Sequence, residues 1–127
     1  MSLGSQDAIV TLAVSDLGAA RKFYEETLGL HPAAHQEEGT LSYQTAKSTI
    51  FVYPSQYAGT NQATAVTWVV DDVDATVNAL KTKGVAFEHY DNLPGTKREG
   101  DVHVAGDHRV AWFKDPDGNI HSIAGAM

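Results

Sequence analysis

The chain has 127 residues, no cysteine, and a formal charge of −7 from nine Lys and Arg against sixteen Asp and Glu. That length implies one domain with a core that needs no staples, and the lack of cysteine excludes a disulfide framework and thiolate chemistry, in keeping with a cytoplasmic location. The acidic balance excludes nucleic acid as a partner, and no apolar run approaches the ~20 residues that cross a bilayer.

In chain order, residues 1–6 read as a disordered or expression-derived start, without the basic and apolar regions of a signal peptide. Val10, Leu12 and Val14 alternate with smaller residues, as a strand with one packed face does. Ser15 or Asp16 then caps a helix whose stripe of Leu17, Ala20, Phe23, Tyr24 and Leu28 stops at Gly29. Strand-like pieces follow at 33–38, 40–45 and 48–53, and residues 55–64 are a polar linker with Gly. The pattern then returns. A strand around Val66 leads to Asp72, a stripe of Val73, Val77 and Leu80, a stop at Gly84, and strand-like pieces at 85–90, 101–105, 108–114 and 119–124. Residues 89–101 carry the Pro and Gly of a long loop, with His89, Tyr90 and Asp91 as polar candidates.

Val10/Val66, Thr11/Thr67, Val14/Val70, Asp16/Asp72 and Ala19/Ala75 are identical at a constant spacing, and one deletion late in the helix aligns Gly29 with Gly84. This is a duplicated unit. The expected architecture is α+β: two tandem βαβββ units, 7–54 and 65–126, in a single domain over 7–126.

Two turns set the facing pairs. A two-residue turn at Ala46-Lys47 pairs Gln44 with Thr49, Tyr43 with Ile50 and Ser42 with Phe51. Asp115-Pro116-Asp117-Gly118 is turn chemistry. Taken as a four-residue turn, it pairs Lys114 with Asn119, Phe113 with Ile120, Trp112 with His121, and Ala111 with Ser122. Alternation then groups Ile9, Thr11 and Ala13 with Ser42, Gln44, Thr49, Phe51 and Tyr53. In the second unit it groups Ala65, Thr67 and Val69 with Ala111, Phe113, Ile120 and Ser122.

The stretches "VSDLGAARKFYEETLGL", "VVDDVDA" and "FKDPDGN" resemble the vicinal oxygen chelate superfamily, which includes glyoxalase I, extradiol dioxygenases and bleomycin-resistance-type proteins. The resemblance runs from about Asp7 to Ala126. It implies a curled, mostly antiparallel sheet around a cavity, and a homodimer. In metal-using relatives a His or Gln lies seven residues before each helix-capping Asp, and a Glu four after the turn glycine. Here those places hold Ile9, Ala65 and Ser122, with Phe51 as the first-unit counterpart. Ile, Ala and Phe cannot ligate a hard or borderline dication, and a lone hydroxyl is a poor ligand. The reading is therefore a metal-free site with no cofactor.

Among the histidines, His31 and His35 read as surface residues, His35 within an early strand. His121 reads as a half-buried structural residue opposite Trp112. If Gly106-Asp107 makes a two-residue turn, His103 lies diagonal to His108, roughly 7–8 Å away. That face points away from the cavity unless Gly106 marks a bulge.

The resulting expectation is a glyoxalase/bleomycin-resistance-like protein that binds an apolar or aromatic small molecule without a metal ion. Its ligand-binding candidates are Thr11, Gln44, Phe51, Tyr53, Thr67, Phe113, Ser122 and His103. The alternatives are a lyase, isomerase or dioxygenase with a relocated metal site or metal-free acid–base chemistry by His103 or Tyr53, and an interaction module whose interior is filled.

Overall fold

The computed structural model describes residues 2–125, so residue 126 of the expected second unit lies outside the described residues. The chain divides into two compact units, Met1–Ala58 and Gly59–Met127, and the division falls within the expected linker. Leu3–Ser5 forms a short exposed 3₁₀ turn. Among the described residues no helix is long and apolar enough to cross a membrane.

The first unit begins with β1 (Val10–Val14), which enters α1 (Leu17–Arg21). Asp16, rather than Ser15, is the cap: its carboxylate accepts the Gly18 and Ala19 amides at 2.8 and 3.2 Å. The helix continues as a π-helical segment, Lys22–Thr27, in which the Leu28 amide reaches back to the Phe23 carbonyl. That wider turn absorbs the one residue by which the first unit's helix exceeds the second's, and it keeps Tyr24 buried. Then come β2 (His31–Pro32), β3 (Leu41–Gln44) and β4 (Thr49–Pro54), in the sheet order β1-β4-β3-β2. β1 and β4 run parallel, and the other pairs antiparallel. Leu12, Val14, Ala20, Tyr24, Leu41, Tyr43, Ile50 and Val52 form the core of this unit. Tyr24 stacks on Tyr43, whose hydroxyl donates to Glu25 at 2.9 Å. Burial, and then Glu25, push the Tyr43 phenol well above its usual range.

The expected strand at 33–38 is absent, so His35 lies in an exposed loop. Gln36 joins the Ala33 backbone amide in holding Ser42 there. Its side-chain amide donates to the Ser42 carbonyl at 2.7 Å and accepts the Ser42 amide at 3.0 Å.

The second unit repeats the plan with β5 (Thr64–Val69), α2 (Val73–Thr82), β6 (Phe87–Glu88), β7 (Lys97–Glu99), β8 (Val102–Ala105), β9 (His108–Lys114) and β10 (Ile120–Ala124). Asp72 caps α2 through the Ala75 amide, as Asp16 caps α1. The sheet order is β5-β10-β9-β8-β7, with β6 also on β9. β5 and β10 are parallel, the counterparts of β1 and β4. Residues 89–101, expected as a loop throughout, contain β7, which pairs with β8 as a hairpin.

The β9–β10 register differs from expectation by one residue. Asp115 pairs with Asn119, its amide donating to the Asn119 carbonyl at 3.0 Å, while the Gly118 amide returns to the Asp115 carbonyl. The Asp115 carboxylate also takes the Asp117 amide, the Asn119 amide and the Asn119 side-chain amide. The loop is thus three residues long, with Gly118 at φ 94°. Phe113 therefore faces His121, Trp112 faces Ser122, and Ala111 faces Ile123. A slip of one residue exchanges the two faces of a strand. Ala111 and Phe113 thus leave Ser122 and join the face packed on α2, where Arg109 grips Asp74 of that helix through two 2.9 Å bonds.

His121 also differs from expectation: it is fully buried rather than half-buried, and it stacks on Phe113 at 4.9 Å rather than facing Trp112. Its Nδ1 accepts the Trp68 indole N–H at 3.0 Å. Burial pushes its pKa down to about 4, with Asp115 opposing weakly.

Gly59 is forced by its surroundings. At φ 73°, an added Cβ would stand 1.9 Å from the Asp117 carbonyl oxygen. Gly59→Ala is expected to lower stability by about 2–4 kcal/mol, read from urea midpoints. Gly39→Ala, at φ 81° but in open space, should cost only about 1–2 kcal/mol. Equal losses would contradict the packing argument. For His121, the folded pKa lies below the ordinary value, so the unfolded chain takes up its proton first as pH falls. Its contribution is complete above about pH 6.5 and declines towards pH 4, by on the order of 3 kcal/mol. Imidazole NMR should show a midpoint near 4 for His121, and a midpoint above 6 would refute the burial argument.

Candidate functional site

Each sheet has one face packed on its helix and one free of it. In the first unit the helix-free face is set by the rows Thr11–Phe51–Ser42 and Ala13–Tyr53, with Gln44 opposite Thr49. Phe51 and Tyr53 stand two positions apart on one strand and stack at 6.2 Å with their planes within 14°. Tyr53 is 37% exposed, so the pair offers a flat aromatic surface. Gln44 shares this face but is engaged in the turn. Its amide donates to the Thr45 and Ser48 carbonyls and accepts from Thr49. The Thr11 hydroxyl makes a long 3.4 Å contact to the Ile9 carbonyl. The sequence-derived pairing of this hairpin agrees with the observed register.

In the second unit the helix-free face carries the rows Thr67–Ser122–Trp112–Glu88 and Val69–Ala124–Val110–His103. The Thr67 and Ser122 hydroxyls are 2.8 Å apart. Beside them, Trp112, Tyr90 and His103 form an edge-to-face cluster. Trp112 lies 5.1 Å from Tyr90 and 4.9 Å from His103. His103 is 1% exposed, and its Nε2 accepts the Tyr90 backbone N–H at 2.9 Å. That bond requires an unprotonated Nε2, so the neutral ring carries its proton on Nδ1. Nδ1 has no hydrogen-bond partner. Burial lowers the His103 pKa, while the Val110 carbonyl, close but out of hydrogen-bond geometry, works the other way. Burial, followed by Glu88, raises the Tyr90 phenol.

Residues 89–101 form an excursion between β6 and β8, which both pair with β9. Glu88 pairs with Trp112 and His103 with Val110, so the row paired with β9 is left after β6 and rejoined at β8 with only Ala111 between their partners. His89 bonds Asp101 at 2.7 Å across the base, and Lys81 of α2 holds the same carboxylate at 2.7 Å. Further out, Arg98 bonds Asp91 and the Gly100 carbonyl. His89 to Leu93 line a shallow depression of about 280 Å³.

The structure thus gathers Thr11, Gln44, Phe51 and Tyr53 on one face of the first unit, and Thr67, Ser122 and His103 on one face of the second. Phe113 does not join them. It is 1% exposed on the α2 side, against Phe87 and His121. Trp112 takes its place, and Tyr90 joins from the excursion. His103 was expected to face away from Ser122. It shares the Ser122 face because the corrected β9 register carries Val110 and Trp112 there, and the two-residue turn at Gly106-Asp107 keeps His103 and His108 on one side.

The four places that the resemblance marks for metal ligands hold few donors. Ile9, Phe51 and Ala65 have no donor atom, and the Ser122 hydroxyl is bonded to Thr67. Among the described residues no three His, Asp or Glu side chains gather elsewhere as a metal site.

Solved structures share the fold at low identity. A glyoxalase/bleomycin resistance protein from Catenulispora acidiphila is 23% identical with a TM-score of 0.70, covering 97% of this chain and 100% of its own. An antibiotic-binding protein from a Streptomyces species is 24% identical with a TM-score of 0.62, over 97% and 98%. A lactoylglutathione lyase from Agrobacterium tumefaciens is 17% identical with a TM-score of 0.69, over 96% and 94%. No curated protein sequence matches significantly. Residues 7–121 match the family described as the Glyoxalase/Bleomycin resistance protein/Dioxygenase superfamily, and with both halves carrying the βαβββ plan, the chain belongs to that superfamily.

Proposed function

We propose that the protein binds an apolar or aromatic small molecule through the helix-free faces of its sheets, without a metal ion. The observation that carries this reading is the donor set: Ile9, Phe51, Ala65 and Ser122 stand where metal-using relatives place ligands, and they supply one hydroxyl, already bonded to Thr67. What these faces offer instead is ring surface, from the stacked Phe51–Tyr53 pair and from Trp112 with Tyr90. Thr11, Thr67 and Ser122 add hydroxyls that orient a ligand, a common composition for small-molecule sites. Similarity in fold to an antibiotic-binding protein supports sequestration as the activity. A homodimer in the cytoplasm completes the reading, on the resemblance and the absence of cysteine.

The test is a titration of Trp fluorescence with a panel of aromatic antibiotics and unsubstituted polycyclic phenols, alongside the metal content of dialysed protein exposed to Zn²⁺, Ni²⁺, Mn²⁺ and Fe²⁺. We expect saturable quenching by at least one panel member, unchanged by EDTA, and less than about a tenth of an equivalent of any metal. Phe51→Ala should weaken binding at the first-unit face by about tenfold or more, read by calorimetry, as loss of an aromatic anchor does. One equivalent of retained metal, or binding that EDTA abolishes, would overturn the proposal.

A further inference from the structure

We propose that residues 89–101 are a flap released by acid, and that its latch is the hydrogen bond from the Tyr90 amide to His103 Nε2. The bond ties the start of the excursion to the strand that receives its end. It exists only while Nε2 has a free lone pair. Protonation turns that nitrogen into a donor facing a donor, and the Tyr90 amide loses its acceptor. The neutral ring already holds an N–H on Nδ1 without a well-formed hydrogen bond, and a second one on Nε2 would place a charge in a 1% exposed site, where burial outweighs the Val110 carbonyl and Asp91. Opening the flap hydrates both nitrogens. It also withdraws Tyr90 from Trp112 and uncovers the indole, whatever ligand that face takes.

The charged groups around His103 set the sign. Arg98, its cross-strand partner on β7, and His89 both disfavour a second positive charge, and Asp91 favours it. His108 lies diagonal on the same face and is exposed. β9 presents Val110 and Trp112, neither of which titrates in this range. With its pKa lowered in the closed state, His103 leaves closure at full strength above its ordinary value of about 6.5 and weakens it as pH falls below that value. His89 is bonded to Asp101 at 2.7 Å at the base of the flap, and its variant separates its contribution from that of His103.

Amide hydrogen exchange near pH 7.5 and near pH 5.5, corrected for intrinsic rates, reads the latch directly. In the parent protein the Tyr90 amide should lose protection at the lower pH, by up to about tenfold, while amides in the middle of β10 keep theirs. In His103→Gln the side-chain carbonyl can accept the same N–H without titrating, so protection should be independent of pH. His89→Gln should retain the pH dependence. Unchanged protection in the parent, or an equal fall in His103→Gln, overturns the proposal. Should His103→Gln fail to fold, imidazole NMR of the parent decides. Loss of Tyr90 protection must track the midpoint of His103, and tracking that of His89 instead would refute the latch.

Discussion

The Asp115 carboxylate is the fixed point of the second unit. It takes three N–H donors, two from backbone and one from Asn119, and so closes a three-residue loop where the residue types alone suit a four-residue one. Asp115 is itself 5% exposed, and its bonds are short. Charge-assisted bonds of this kind are roughly twice as strong as neutral ones. Everything on β9 inherits its facing from this knot. Trp112 is delivered to Ser122, Phe113 to His121, and Val110 to the row that reaches His103. The Asp117 carbonyl of the same loop is the atom against which Gly59 packs, so the start of the unit is fitted to its last hairpin.

Much of the fold could be read from residue spacing. The capped helices, the duplicated plan and the first-unit hairpin follow from local signals: an Asp before an apolar stripe, a recurring set of identities, a two-residue turn at Ala46-Lys47. What spacing could not supply was the competition among side chains. Nothing in the order of Asp115 to Asn119 states that one carboxylate will collect three donors, and that single slip moved Trp112 and His103 to the wrong face along with Phe113. The missing strand at 33–38 has a similar cause. The Gln36 side chain joins the Ala33 backbone amide in holding Ser42, which alternation along a chain cannot reveal.

The two units show how one plan absorbs change. The longer first helix keeps Tyr24 in the core by widening into a π turn rather than rotating its stripe away from the sheet. Thr11 beside Phe51 and Thr67 beside Ser122 are equivalent positions in parallel strand pairs, yet one offers ring surface and the other a hydroxyl pair. Equivalent backbone positions in the two halves are therefore filled differently, while the strand pairing that presents them is unchanged.

The excursion between β6 and β8 leaves and rejoins the row paired with β9 opposite the single residue Ala111. Its length is consequently decoupled from the register of the sheet. Closure of a longer loop costs little additional entropy, and pairing resumes at His103 with the same parity however many residues intervene. Trp112 and Ser122 keep their facing under any such insertion or deletion. The break between β6 and β8 is a splice point at which a lineage, or an engineer, can exchange the cover of a surface without disturbing the surface itself.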